Sequence, residues 1–243
     1  MFSIPKMILF DYGSSLLCEP DWDALRGERA VLAHAVSNPR HVTPEALAAW
    51  EHEYLRSRRP LRDLDAELPM LQLLRLKYAL HGIRLDISLE EAEFLQWSSS
   101  SPMTEGCVSP HIREVLEALE ERGIRTGVIS NLGWSGAALK KRIDTLLPNN
   151  RFDFILTSSD YGVRKPDVRL FQTALAIAGL EPEEAWYCGN DFRKDYLAPR
   201  SAGMFSVLYR GFSDKPSAPA EIPGGTVTID DWQELLGLLD QCG

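Results

Sequence analysis

The stretch LFDYGSSLL, residues 9–17, decides how the rest of this chain is read. It continues an apolar run, MILF at 7–10, that stops at Asp11 and gives way to small residues. A short apolar run bounded by turn-forming residues is a buried strand. Asp11 is thereby placed as a carboxylate at the strand's C-terminal end, a candidate nucleophile. A lone aspartate in such a place is usually a turn residue or a helix N-cap, so its chemistry depends on what the chain brings to the same edge. The opening MFSIPK carries one lysine and leads into this strand; it does not read as a signal peptide.

After the strand, residues 18 to about 100 show helical periodicity with start signals and no convincing strand. Thr43-Pro44-Glu45 supplies an N-cap, a proline at the first helical position and an early acid. Ser88 with Glu91 forms a capping box before AEFLQW, and LPMLQLLRLKYAL at 68–80 is apolar on more than one side, as in a helix packed between others. From about 104 the rhythm changes to helix and strand in alternation, the pattern of a parallel sheet covered on both faces. HIREVLEALEERG, RTGVISN, WSGAALKKRIDTLL, FDFILTSS, PDVRLFQTALAIAG, AWYCGN, KDYLAPRSAG and FSVLYR carry it. TVTID and a helix capped by Asp230 close it, and SDKPSAPAEIPGG at 213–225 reads as a surface connection. The first strand needs that sheet to pair with. The expected architecture is an α/β, Rossmann-like core made of 1–17 and 101–243, with an all-helical cap inserted at 18–100.

Composition limits the function classes. With 243 residues, 44% hydrophobic and 25% charged, the chain is long enough for one good core and a smaller appendage. A net charge of -9 gives no footing for a nucleic-acid backbone, and a small anionic substrate would need a local positive site. No segment approaches the roughly 18 apolar residues of a membrane span. Cys18, Cys107, Cys188 and Cys242 show no C-x-x-C spacing, so neither a zinc site nor a disulfide framework is suggested. A cytoplasmic protein acting on a small molecule is the expectation.

Three later segments fall at strand ends, where ligands sit in open parallel sheets. Ser130-Asn131 follows the apolar run GVI, so the hydroxyl and the next backbone N–H can donate to an anion. Lys165 precedes Pro166, whose ring is expected to start the next helix; a lysine there is a point charge able to neutralise a carboxylate and an incoming phosphate. Asp191 and Asp195 lie four apart after AWYCGN, and two acids in a short loop suit Mg²⁺.

In this order, with these elements between them, Asp11, VISN at 128–131, RKPD at 164–167 and GNDFRKD at 189–195 resemble the four motifs of the haloacid dehalogenase (HAD) superfamily. The resemblance spans nearly the whole chain, including a helical insertion directly after the first motif. It implies a mobile cap, Mg²⁺, and most often hydrolysis of a phosphate monoester through an aspartyl-phosphate. Carried onto this sequence, it gives Asp11 and Lys165 as catalytic, Ser130, Asn131 and Ser15 as substrate-binding, and Asp11, the Gly13 carbonyl, Asp191 and Asp195 as metal-binding. Asp191 is taken as the main metal ligand with Asp195 in support, and Asn190 stands where the first acid of the longer motif spacing would be. The family opening is Asp-x-Asp-Gly-Thr, and here Gly13 replaces the second Asp, the residue that protonates the leaving group. Activity is therefore expected to be weak. Tyr12 points to the opposite face, and Glu19 or Asp21 reach the site only through the cap hinge. Two other readings stand beside a phosphatase: a 2-haloacid dehalogenase type of hydrolase, which also lacks the second Asp, and a protein that binds a phosphate ligand with little turnover.

Overall fold

In the computed structural model, which describes residues 3–212 and 223–242, the chain begins with β1 (Met7–Phe10), all four residues of which are buried. Most of the connection expected at 213–225 lies outside the described residues. Next come α1 (Ala24–Leu32), β2 (Ala35–Ser37), α2 (Pro44–Arg58), a 3₁₀ turn (Arg59–Leu64), α3 (Met70–His81), β3 (Arg84–Leu85) and α4 (Leu89–Ser100). The start signals hold at atomic detail. The Thr43 hydroxyl accepts from the Ala46 N–H, and Ser88 and Glu91 exchange both bonds of a capping box. Helix α1 packs along α4 and against α2.

The segment 18–100, expected as an all-helical cap, is not purely helical. β2 and β3 pair antiparallel, Ala35 opposite Leu85. Strands of three and two residues are too short to show a period-2 alternation, so pairing across two loops left no mark in the sequence.

The remaining elements are α5 (Ile112–Glu121), β4 (Arg125–Ser130), α6 (Gly136–Leu146), β5 (Phe152–Thr157), α7 (Ser158–Tyr161), α8 (Val168–Ala178) and β6 (Ala185–Gly189). A π-helical turn (Phe192–Leu197), α9 (Ala198–Ser201), β7 (Phe205–Tyr209), β8 (Thr228–Ile229) and α10 (Gln233–Leu239) follow. Two expected helix starts move. Helix α8 begins at Val168, with Asp167 accepting from the Arg169 N–H, so Pro166 lies before the helix and not in its first turn. Asp230 pairs with Arg210, and it is Asp231 that accepts from the Gln233 N–H before α10.

The sheet is fully parallel in the order β5-β4-β1-β6-β7-β8. Phe10 stands opposite Val128 on one side and Cys188 on the other. Ile8 and Phe10 face one apolar cluster with Val115 and Trp232, while Met7 and Leu9 face the other with Phe171 and Tyr187. A strand buried on both faces reads as a continuous apolar run, which is why MILF was legible. The chain runs from β1 outward through β4 and β5, then returns to the far side of β1 as β6. This reversal opens a crevice at the carboxyl ends of β1, β4 and β6.

Candidate active site

Sheet pairing continues one residue past β1, with the Asp11 N–H donating to the Cys188 carbonyl at 2.8 Å, and the chain then turns away through Gly13 and Ser14. Ser14 takes a positive φ of 56°. This turn brings the Asp11 carboxylate to the mouth of the crevice while its backbone stays in the sheet.

Lys165 arrives from the loop before α8 and is fixed at both ends. The Asn131 side chain donates to its carbonyl and accepts from its N–H, each at 2.8 Å. Its Nζ lies 2.8 Å from Asp11 Oδ1, 2.6 Å from Asp195 Oδ1, 2.7 Å from the Tyr187 hydroxyl and 3.1 Å from the Ile129 carbonyl. The Asp195 Oδ2 accepts from the Asp191 N–H at 2.9 Å. A buried ammonium between two buried carboxylates has its charge satisfied by geometry, as burial of ions requires. Burial lifts the Asp11 carboxyl to about 6; the Lys165 charge offsets part of that rise and Asp195 adds to it. Burial disfavours the Lys165 cation, yet the two carboxylates outweigh it and hold the ammonium above its usual range.

A cavity of about 360 Å³ opens on this trio, lined by Asp11, Gly13, Ser14, Ser130, Asn131, Asn190, Asp191 and Lys194 among others. The structure thus gathers nearly every site residue expected from the sequence. Ser15 is the exception. It is fully buried, its hydroxyl has no hydrogen-bond partner among the described residues, and its carbonyl accepts from the Trp232 indole at 3.2 Å. The reversal at Ser14 points the next side chain into the core, so Ser14 and not Ser15 faces the cavity. The Asn131 side-chain amide is spent on the Lys165 backbone, so only its main-chain N–H is available to an anion.

Asp191 is committed locally. Its Oδ1 accepts from the Arg193 and Lys194 N–H groups at 3.0 and 2.9 Å, and its Oδ2 pairs with Lys194 Nζ at 2.7 Å. Asp195, not Asp191, reaches Lys165 beside Asp11. The described residues contain no group of three or more His, Cys, Asp and Glu side chains arranged to hold a metal. The oxygen donors around the cavity still suit Mg²⁺, which takes one or two carboxylates with carbonyls and retained waters.

Tyr12 turns to the other face, where its hydroxyl donates to Glu19 at 2.5 Å. Glu19 lines the cavity but is held by Arg142, 2.5 Å away, and by the Ser101 hydroxyl. At Gly13 an added Cβ meets nothing within 4 Å, so the backbone there has room for a side chain. Tyr187, Lys194 and Arg164 went unnoticed in the sequence. Tyr187 sits inside an apolar strand run and reads as core, and the two cations read as solvated charges.

Residues 93–209 match the family model of haloacid dehalogenase-like hydrolases. Among curated proteins, the chain is similar to haloacid dehalogenase-like hydrolase domain-containing protein 3 of Homo sapiens, 38% identical over 40% of this chain and 38% of that protein. It is also similar to glyceraldehyde 3-phosphate phosphatase of Methanothermobacter thermautotrophicus, 34% identical over 54% of this chain and 58% of that protein. The matched stretch thus spans well under two thirds of these relatives. Over whole chains, the fold is like that of a 2-haloacid dehalogenase from Pseudomonas syringae (TM-score 0.59, 22% identity, 99% of each chain). It is equally like that of a HAD phosphatase from Thermococcus onnurineus (TM-score 0.58, 20% identity, 100% of this chain and 99% of that one). Residues 93–209 are thus similar to haloacid dehalogenase-like hydrolases, and the whole chain shares the fold of these solved structures.

Proposed function

We propose that this protein hydrolyses a small phosphate monoester through an aspartyl-phosphate on Asp11, and the observation that carries the reading is the buried Asp11–Lys165–Asp195 trio open to a cavity on one side only. In the first step an Asp11 oxygen attacks phosphorus, the ester P–O bond breaks and the alcohol oxygen leaves with its electron pair. Water then attacks the acyl phosphate, returning the carboxylate and releasing inorganic phosphate. Lys165 keeps Asp11 ionised at neutral pH and faces the charge that the phosphoryl group brings. The Ser130 hydroxyl and the Asn131 N–H are placed to donate to phosphoryl oxygens. Mg²⁺ would be held by Asp11, the Gly13 carbonyl and the Asn190–Asp191 pair, with Asp191 first released by Lys194, and would neutralise phosphoryl charge there. The relatives named as phosphatases support the phosphate reading.

Displacement of a halide by Asp11 is the second reading. It is favoured by Gly13, since a halide leaves without a proton, and by Lys194 already neutralising Asp191. Activity that survives EDTA and is confined to 2-haloacids selects it.

Without an acid at position 13 the leaving oxygen departs as an anion. Aryl and acyl phosphates should then be turned over about 10²- to 10⁴-fold faster than alkyl phosphates, the usual worth of a positioned acid. Gly13→Asp, for which the backbone has room, should raise alkyl rates more than aryl rates. Asp11→Asn should abolish turnover with the fold intact, because the amide is isosteric but a far weaker nucleophile. Turnover by the Asn variant at the wild-type rate would end the proposal, and a wild type that binds phosphate without releasing product would leave a binding protein.

A further inference from the structure

A second and larger cavity, of about 890 Å³, adjoins the first between the cap and the core. Asn131, Leu132 and Arg164 line both, so the two spaces meet at the loop after β4 and at the residue before Lys165. The larger one is strongly cationic on a chain whose net charge is -9. Five arginines, at 56, 58, 59, 62 and 164, line it against Glu51 and Glu67. Both acids are already spent. Glu51 is 2.7 Å from Lys77, and Glu67 pairs with Arg164 and accepts from the Ser158 hydroxyl.

Arg56 is answered by Glu53, and Arg58 lies over the Tyr54 ring. Arg59 and Arg62 make no ion pair or side-chain hydrogen bond among the described residues. Both belong to the 3₁₀ turn Arg59–Leu64, and in a 3₁₀ turn residues three apart eclipse one another. The turn therefore sets two exposed like charges side by side at the cavity without a counter-ion, free to take up an anion. Trp22 and Trp134 also line this cavity, Trp22 against Trp134 and Trp134 stacked on Trp97 behind it at 5.2 Å, an apolar surface for a carbon skeleton. The volume lies in the range of sites that enclose a drug-sized ligand, well beyond what a single phosphoryl group fills.

We infer that the cap-side cavity is a subsite for a second anionic group on the leaving portion of the substrate: the substrate is a phosphate ester that also carries a phosphate or carboxylate, bound by Arg59 and Arg62 while Asp11 attacks the near phosphoryl group. This deepens the phosphatase reading and rests on it. Arg164, at the junction, is neutralised by Glu67 and serves as the divider between the two anion positions. A second phosphate and a carboxylate share the chemistry that Arg59 and Arg62 recognise, so both are tested.

The experiment compares kcat/KM for a sugar bisphosphate with that for the same sugar's monophosphate, and for phosphoglycolate with ethyl phosphate, in wild type, Arg59→Gln/Arg62→Gln and Arg59→Lys/Arg62→Lys. The wild type should prefer the doubly anionic member by tenfold or more in at least one pair. The glutamine variant should bring that ratio close to one and the lysine variant should restore part of it. A ratio near one in the wild type, with the monoesters turned over, overturns the subsite while leaving the phosphatase reading intact. Calorimetric binding of the bisphosphate does not depend on turnover. Affinity at least tenfold weaker in the glutamine variant supports the subsite even if no ester is hydrolysed, and equal affinity in the two proteins overturns it.

Discussion

Among the described residues two lysines are buried, and each is held between two carboxylates. Lys77 lies 2.5 Å from Glu28 and 2.7 Å from Glu51, with the Gln96 amide donating to both acids at 3.1 and 2.9 Å. One side chain comes from each of α1, α2, α3 and α4, so the cluster pins the four cap helices together. Lys165 lies between Asp11 and Asp195, with the Tyr187 hydroxyl as the neutral partner. The charges are nearly the same and the roles differ. In the cap Lys77 and Glu28 are enclosed by helix and only Glu51 reaches the edge of the larger cavity; in the core Asp11, Lys165 and Asp195 all line one. Paired buried charge is therefore no mark of chemistry by itself, and access to the pair is what separates a pin from a site.

The comparison is tested hardest by removing each lysine. Lys77→Met leaves two buried carboxylates without a counter-ion and should cost about 3 to 5 kcal/mol of stability, read by urea unfolding. Adding Glu28→Gln and Glu51→Gln should recover most of that loss. Lys165→Met should unfold the protein less, since Asp11 can take up a proton or water from the cavity. Its cost should appear in turnover, about 10²- to 10³-fold, the usual price of one electrostatic contact at the reacting group. Equal destabilisation by the two lysine changes would erase the distinction drawn between the two clusters.

A smaller effect concerns pH. Burial lifts Glu28 to about 7 from its ordinary 4.5, with Lys77 pulling it down and Glu51 pushing it up. The folded pKa exceeds the unfolded one, so the folded state binds this proton more tightly. Stability from this group therefore rises as pH falls from about 7 towards 4.5, by on the order of 3 kcal/mol. Glu28→Gln should flatten that part of the curve in thermal melts. Asp11, raised for the same reason, should leave a weaker slope of the same sign at lower pH. A wild-type stability that falls steadily from pH 7.5 to 5.5 contradicts the assignment.

The smallest expected effect is at Tyr187. Tyr187→Phe removes one neutral partner of Lys165 and Asp195 from an intact pair, and should slow turnover several-fold, about 1 kcal/mol, with the melting temperature little changed.

Asp11 was legible as a carboxylate at the end of an apolar strand run, but its weight, like that of Lys165 before Pro166, came from the resemblance of the motifs taken together and not from local physics alone. The parallel sheet was legible because strands buried on both faces cannot hide among polar residues. The acid loop was legible as a place but not in its detail. That Asp195 reaches Lys165 while Asp191 caps the turn depends on the π-helical geometry at 192–197, which spacing alone does not fix.

The sequence by itself therefore determined the α/β order of elements, the insertion after β1, and the residue types gathered at the strand ends. Tertiary structure alone decided the rest. Glu28, Glu51, Lys77 and Gln96 each look like ordinary helix residues, and only the packing of four helices makes them one cluster. Arg59 and Arg62 read as scattered surface charges in the chain, and only the fold sets their turn on a cavity that adjoins the one holding Asp11. Periodicity and capping are interactions among neighbours in the chain and are written in it locally; enclosure and charge pairing depend on residues far apart in sequence, and those distances exist only once the chain has folded.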